Sequence, residues 1–224
     1  MDHPSFGCAI ITRVLQAYGY SCAILAQPDW HKDEEFLQFG EPRLGFLVSA
    51  GNIDSMVNHY SVNKRRRDHD SYSDDGVMGK RPDRPTIVYT QILKRLFPHK
   101  PVLIGGIEAS LRRLSHYDYW DDAVRRSILM DSQADLLMYG MGENTIVEVA
   151  DALASGLAAK DLCYIRGTCW KTKSLEYLSD YILLPSYEEV KADKRTYAKS
   201  FHIQHENIDA IAARVLVAVS YTHL

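Results

Sequence analysis

The sequence predicts an α/β fold with an open parallel sheet, and one repeated pattern carries that expectation. Pro101-Val102-Leu103-Ile104 is an apolar run that stops at Gly105-Gly106 and continues as Ile107-Glu108-Ala109-Ser110-Leu111-Arg112-Arg113, which reads as strand, tight turn and helix. About thirty residues later, Ala134-Asp135-Leu136-Leu137-Met138-Tyr139 closes in Gly140-Met141-Gly142-Glu143 and leads into an apolar-periodic helix from Thr145. Two strand-glycine-helix units in succession imply parallel strands whose C-terminal ends lie side by side, the edge at which open α/β sheets hold their ligands.

Composition sets the bounds. With 224 residues, 46% hydrophobic and 25% charged, the chain suits one large α/β domain, or one domain and part of a second, with a real core. A formal net charge of -3 gives no global basic field to recommend nucleic acid, although Lys64-Arg65-Arg66-Arg67 is a local basic run. Neither a charged-then-apolar leader nor a membrane-length apolar stretch is present, which points to the cytoplasm. The cysteines, Cys8, Cys22, Cys163 and Cys169, are dispersed and read as ordinary reduced thiols. Cys163 and Cys169 lack the second pair that a tetrahedral metal site needs.

Taken in order, Ile11, Val14, Leu15 and Tyr18 predict a first helix stopped by Gly19, and residues 21–26 a short strand. A doubly wound sheet normally has a strand before its first helix. Either that strand is missing here or the architecture differs. Residues 33–39 read as a short helix, 44–48 as a strand and 53–60 as a helix. Residues 61–85, rich in Arg, Asp and Gly, read as a solvated or partly ordered loop, with a phosphate-contacting loop as the alternative. The spacing of Val88, Ile92 and Leu96 favours a helix over 86–97. After the first glycine turn, the aromatic and acidic stretch 115–122 reads as the lead into a helix over 123–130. Thr145 and Glu148 stand at capping-box spacing in the helix ended by Gly156. Short strands are expected at 162–165 and 181–184, and helix over much of 191–217. His202 and His205 could share a helix face, but a pair three apart with no third ligand is more often incidental than metal-binding.

The candidate binding residues follow from the two turns. Gly105 and Gly106 permit positive φ and close approach to the main chain, and the helix they open, with Glu108 and Ser110, starts with N–H groups suited to a polar or anionic group. Gly142 and Glu143 offer a second turn and a carboxylate able to accept from a ribose or nucleotide hydroxyl. Glycine after a strand is also the ordinary way of turning into a helix, and that explanation weighs equally. Neither Gly-x-Ser-x-Gly nor a Walker A lysine motif occurs, and no acid or base is assigned.

Five stretches in one order carry a resemblance: Asp2-His3-Pro4-Ser5-Phe6-Gly7, Ala26-Gln27-Pro28-Asp29-Trp30, Ala50-Gly51-Asn52-Ile53-Asp54-Ser55-Met56-Val57-Asn58, Gly79-Lys80-Arg81-Pro82-Asp83-Arg84 and Gly105-Gly106 through Arg113. Together with His116-Tyr117-Asp118-Tyr119-Trp120 they resemble the N-terminal region of the YgiQ family of radical SAM proteins, over most of residues 1–215. The resemblance implies an enzyme whose [4Fe-4S] cluster, on three cysteines, cleaves S-adenosylmethionine. It also implies that this stretch is the Rossmann-like domain, similar to cobalamin-binding domains, that precedes the radical SAM barrel. Such chemistry needs Cys-x3-Cys-x2-Cys, which is absent, so no catalytic residue carries over and no metal ligand is expected. The family has a strand before Asp2, matching the missing first strand, and the resemblance stops in the tail from Val217. The expected organisation is a Rossmann-like domain over 1–156, an α-rich connecting region over 157–217 and a tail of doubtful origin over 218–224. The implied partner is the absent C-terminal radical SAM domain, the substrate is unknown, and the chain is expected to be a truncated fragment. Two other readings rank below this one: a stand-alone cobalamin- or nucleotide-binding module using Gly105, Gly106, Gly142 and Glu143, and a nucleic-acid-binding protein using residues 64–67 and 80–84.

Overall fold

A computed structural model describes residues 7–51, 53–209 and 212–220. The opening Asp2-His3-Pro4-Ser5-Phe6, Asn52 and residues 221–224 of the tail lie outside these. In chain order the elements are α1 (Gly7–Ala17), α2 (Asp33–Leu37), β1 (Phe46–Ser49), α3 (Ser55–His59), α4 (Pro85–Leu96), β2 (Val102–Gly105), α5 (Gly106–Leu111), β3 (His116–Asp118) and β4 (Ala123–Arg125). They continue as α6 (Ile128–Asp131), β5 (Leu136–Met138), α7 (Glu143–Ala154), β6 (Thr168–Cys169), β7 (Tyr181–Leu184), α8 (Tyr187–Ala192), α9 (Lys194–Glu206) and β8 (Val215–Ala218). Two compact units result, one from residues up to Arg113 with Ile128–Lys171, the other from Leu114–Ser127 with residues from Thr172 onward.

The first unit is built on a four-stranded sheet of order β1-β2-β5-β6. β1, β2 and β5 are parallel, with Leu47 opposite Leu103 and Ile104 opposite Leu137. β6 runs antiparallel to β5, so the sheet is mixed where a purely parallel one was expected. Alternation along β2 explains its fully apolar sequence. Val102 and Ile104 face a cluster with Tyr89, Leu93 and Phe97 of the α4 region and with Ile128 and Leu129, while Leu103 faces the opposite cluster with Leu136, Val149 and Leu162. Helices cover both faces, and the strand is dry on both. α4 begins at Pro85, whose missing N–H costs nothing in the first turn. α1 buries Leu15 against Ile146 and Ala150 of α7.

Three local expectations fail for nameable reasons. Residues 21–26 form no strand; Cys22 and Leu25 pack on the core, but no strand pairs with this segment among the described residues. Residues 123–130 are not one helix, because β4 pairs antiparallel with β3 and only Ile128–Asp131 is helical. The buried Asp118 carboxylate accepts from the Trp120 and Asp121 N–H groups and closes that hairpin. Residues 162–165 are turns whose Leu162 and Ile165 are core residues, and the strand falls later, at β6.

The second unit joins the β3–β4 hairpin to a parallel pair, β7 and β8, connected through α8 and α9. Ser186 and Glu189 form a reciprocal capping box on α8, and the Asp193 side chain caps α9. Helix holds within 191–217 as far as Glu206; beyond it Val215–Ala218 is a strand. Among the described residues no helix is long and apolar enough to cross a membrane.

Candidate functional site

The two glycine turns stand at the C-terminal ends of neighbouring strands. β2 and β5 are in parallel register, and the Gly140 N–H donates to Ser110 Oγ at 3.3 Å, so the second turn touches the helix opened by the first. Gly106 has φ +79, and a Cβ there would stand 2.5 Å from Ser49 Oγ at the end of β1. The positive φ favours glycine, and any side chain there would also push the Ser49 hydroxyl aside. Gly140 has φ +71 with nothing within 4 Å of a built Cβ. Around these turns Ile107, Leu111 and Met141 are exposed, Met141 at 90%, and the Arg113 guanidinium lies 5.0 Å from the Tyr139 ring centroid.

The remaining sequence-predicted residues separate into two settings. Gly142 and Glu143 open α7, partly exposed, close to the Gly140 turn. Glu108 is wholly buried, and its carboxylate accepts from the Ser55 N–H at 3.1 Å, the Ser55 hydroxyl at 2.7 Å and the Thr86 N–H at 3.2 Å. Both oxygens are thus engaged by the loop that follows β1 and by the start of α4.

That loop holds what sequence reasoning missed. Residues 61–85 are organised by buried charge. Asp54 caps α3 through the Met56 and Val57 N–H groups and pairs with the buried Arg112. Asp70 accepts from Asn58 at 2.7 Å, the Tyr72 N–H at 2.9 Å and the Ser73 hydroxyl at 2.9 Å. The fully buried His59 places Nδ1 2.8 Å from Asp83, whose other oxygen accepts from Tyr60 at 2.6 Å. Burial alone would push the Asp70 carboxyl up, but its three hydrogen bonds and the Arg81 charge outweigh burial and hold it below the usual carboxylate range. Asp83 behaves alike: burial is outweighed by Tyr60, His59 and Arg66. The available signal was the recurrence of Asp beside Arg and His in a stretch poor in apolar residues.

The cysteines do not suit an iron–sulfur cluster. Among the described residues no three His, Cys, Asp or Glu side chains gather as a metal ion needs. Cys169 is on β6 in the core, and burial pushes its thiol up to about 12, the opposite of what a thiolate ligand requires. His202 pairs with Glu206 on the surface of α9.

Comparison with known proteins bears on the whole chain. A UPF0313 protein from Clostridium perfringens is 55% identical over 218 residues, 97% of this chain and 33% of the relative. A UPF0313 protein from Clostridium botulinum is 52% identical over 217 residues, 97% of this chain and 34% of the relative. The chain thus spans about a third of the length of the curated relatives it matches. Among solved structures, the radical S-adenosylmethionine methyltransferase TsrM from Kitasatospora setae, with tryptophan substrate and a SAM analogue bound, aligns with a TM-score of 0.46 at 18% identity, over 73% of this chain and 25% of that one. The family model for the radical SAM N-terminal region matches residues 1–223, and the chain belongs to that family.

Proposed function

We propose that this chain is the N-terminal part of a radical SAM enzyme and serves it as a binding platform rather than as the catalytic centre. In this reading the full-length protein binds a [4Fe-4S] cluster through a Cys-x3-Cys-x2-Cys segment outside these 224 residues and cleaves S-adenosylmethionine there. Family membership and the one-third coverage of longer relatives support it.

The observation that carries the platform reading is the contact between the second glycine turn and the helix opened by the first, made by the Gly140 N–H and Ser110. They make one continuous sheet edge, bordered by exposed Ile107, Leu111 and Met141. In a Rossmann-like, cobalamin-binding-domain-like sheet this is the ligand edge. Apolar side chains and bare backbone suit a broad, flat molecule such as cobalamin, whose bound form supplies methyl-transfer or redox chemistry. Neither turn carries a histidine, so such a ligand would be held here by shape and hydrogen bonds. The same reading adds a strand at the open edge of β1; its support is that residues 21–26, strand-like in sequence, have no strand partner among the described residues.

Anaerobic reconstitution with iron and sulfide tests the proposal. The full-length Clostridium perfringens relative, reduced with dithionite, should acquire a cluster and convert S-adenosylmethionine into methionine and 5′-deoxyadenosine, while this chain acquires none. Titration of this chain with hydroxocobalamin should shift the cobalamin spectrum. A full-length relative that holds no cluster would overturn the enzyme reading, and an unchanged spectrum at high protein concentration would remove the cobalamin platform.

A further inference from the structure

Two basic runs that are separate in sequence, Lys64-Arg65-Arg66-Arg67 and Lys80-Arg81, each send one arginine to the same cleft. The cleft has a volume of about 290 Å³, and Trp30, Arg66, Gly79, Arg81 and Asp83 contribute to its lining. Arg81 is only 5% exposed. Its Nη1 donates to the Ala50 carbonyl at 2.8 Å, and Asp70 lies 3.8 Å from Nη2, beyond hydrogen-bond distance. Arg81 Nε and Nη2 and the Trp30 Nε1 are buried donors that make no hydrogen bond in the protein, Nη2 keeping Asp70 only as an ion-pair neighbour. Buried polar groups are almost always paired, and three unpaired donors on residues of one cleft call for an explanation.

The carboxylate in the wall does not supply one. Asp83 already accepts from His59 Nδ1 and Tyr60, so its hydrogen-bonding capacity is directed away from Arg81. The lining itself carries two guanidinium groups and one carboxylate, with the Asp70 carboxylate behind Arg81. Gly79, at φ +96, keeps its backbone bare beside Arg66; a Cβ there would come within 3.1 Å of Arg66 Nη2.

We propose that this cleft binds a small oxyanion, a carboxylate or phosphate on a compact molecule, held by Arg66 and Arg81 with the Trp30 indole N–H as a further donor. The planar guanidinium fork matches both groups. A volume of about 290 Å³ lies at the lower end of small-molecule sites, which favours a short acid or a single phosphate over a nucleotide or a nucleic-acid strand.

The test follows the Trp30 indole N–H by two-dimensional NMR of the 224-residue chain, with Trp30→Phe used for assignment. The probes are inorganic phosphate and succinate, titrated separately while chloride keeps the ionic strength constant. A saturable shift with a Kd at or below about 1 mM is expected for at least one probe. Whichever probe binds more tightly names the ligand group. Arg66→Gln should weaken binding about tenfold or more without lowering the melting temperature, and Arg65→Gln, in the same basic run but outside the lining, should leave it unchanged. No response to either probe overturns the proposal. So does equal weakening by both variants, which would mean diffuse charge attraction rather than a site.

Discussion

Glu108 shows how much of this molecule is decided one residue at a time. A carboxylate at the first turn of a helix after a glycine pair invites a ligand reading from sequence alone. Its partners lie far along the chain, in Ser55 and Thr86, and no local pattern announces them. The same holds for Arg112 and Asp54, and for His59 with Asp83: each is visible as a charged residue, and only the tertiary fold reveals the pairing. Glu108→Ala should lower stability by about 3 kcal/mol, since it leaves buried donors of Ser55 and Thr86 without an acceptor. Urea unfolding of the two proteins measures this; a loss below about 0.5 kcal/mol would mean that water reaches those donors. The glycine at 106 was legible as a turn residue, whereas its steric reason, the Ser49 hydroxyl, belongs to another strand.

Elements with a strong local signature were legible. β2, β5, α4 and α7 each combine the right hydrophobic period with glycine or proline punctuation and form within a few residues of their expected ranges, although α7 starts at Glu143 after Gly142 and the expected Thr145–Glu148 capping box does not form. The expectations for 21–26 and 123–130 failed because strand formation depends on a partner elsewhere. The former has none among the described residues, and residues 123–125 have one in β3, which overrides the helical pattern. Residues 61–85 misled in the opposite sense, since low hydrophobicity suggested solvation while hydrogen bonds to Asp70 and Asp83 and the Arg81–Asp70 pair supply the order. Where a cap is explicit, its weight can be stated. Ser186→Ala removes the hydroxyl that accepts from the Glu189 N–H and donates to its carboxylate. The change should destabilise α8 by about 1 kcal/mol, read as about fivefold faster amide exchange in its first turn. Unchanged exchange would show that the capping box contributes nothing there.

At the scale of the molecule, two hydrogen-bonded acids, one buried and one half-buried, make stability depend on pH. Asp70 and Asp83 both have carboxyls lowered on folding, so each binds a proton less readily in the folded state than in the unfolded chain. Their contribution is therefore fully present above the ordinary aspartate value of about 3.9 and is lost as pH falls below it toward the folded values. Unfolding midpoints measured from neutral pH downward should hold level and then drop through that acid window. Asp70→Asn should lower the level region by about 2 kcal/mol and flatten the drop, and an acid limb of undiminished steepness would assign the effect to other groups. The α/β class and the side-by-side placement of the two strands that end in glycine turns were legible at this scale, since they follow from two repeated local units. The antiparallel β6 and the separate unit around β7 and β8 were not, because both rest on pairings between distant residues.

The edge position of β1 has a practical side. Among the described residues its only strand neighbour is β2, and Leu47 is nearly half exposed. A row of unshared N–H and C=O groups beside apolar side chains is a template for any extended chain that meets it, including another molecule of the same kind. What limits handling of this protein is then crowding rather than heat: concentrated samples should seed their own precipitation well below the melting temperature, and a lysine at position 47 would be the first remedy to try at the bench.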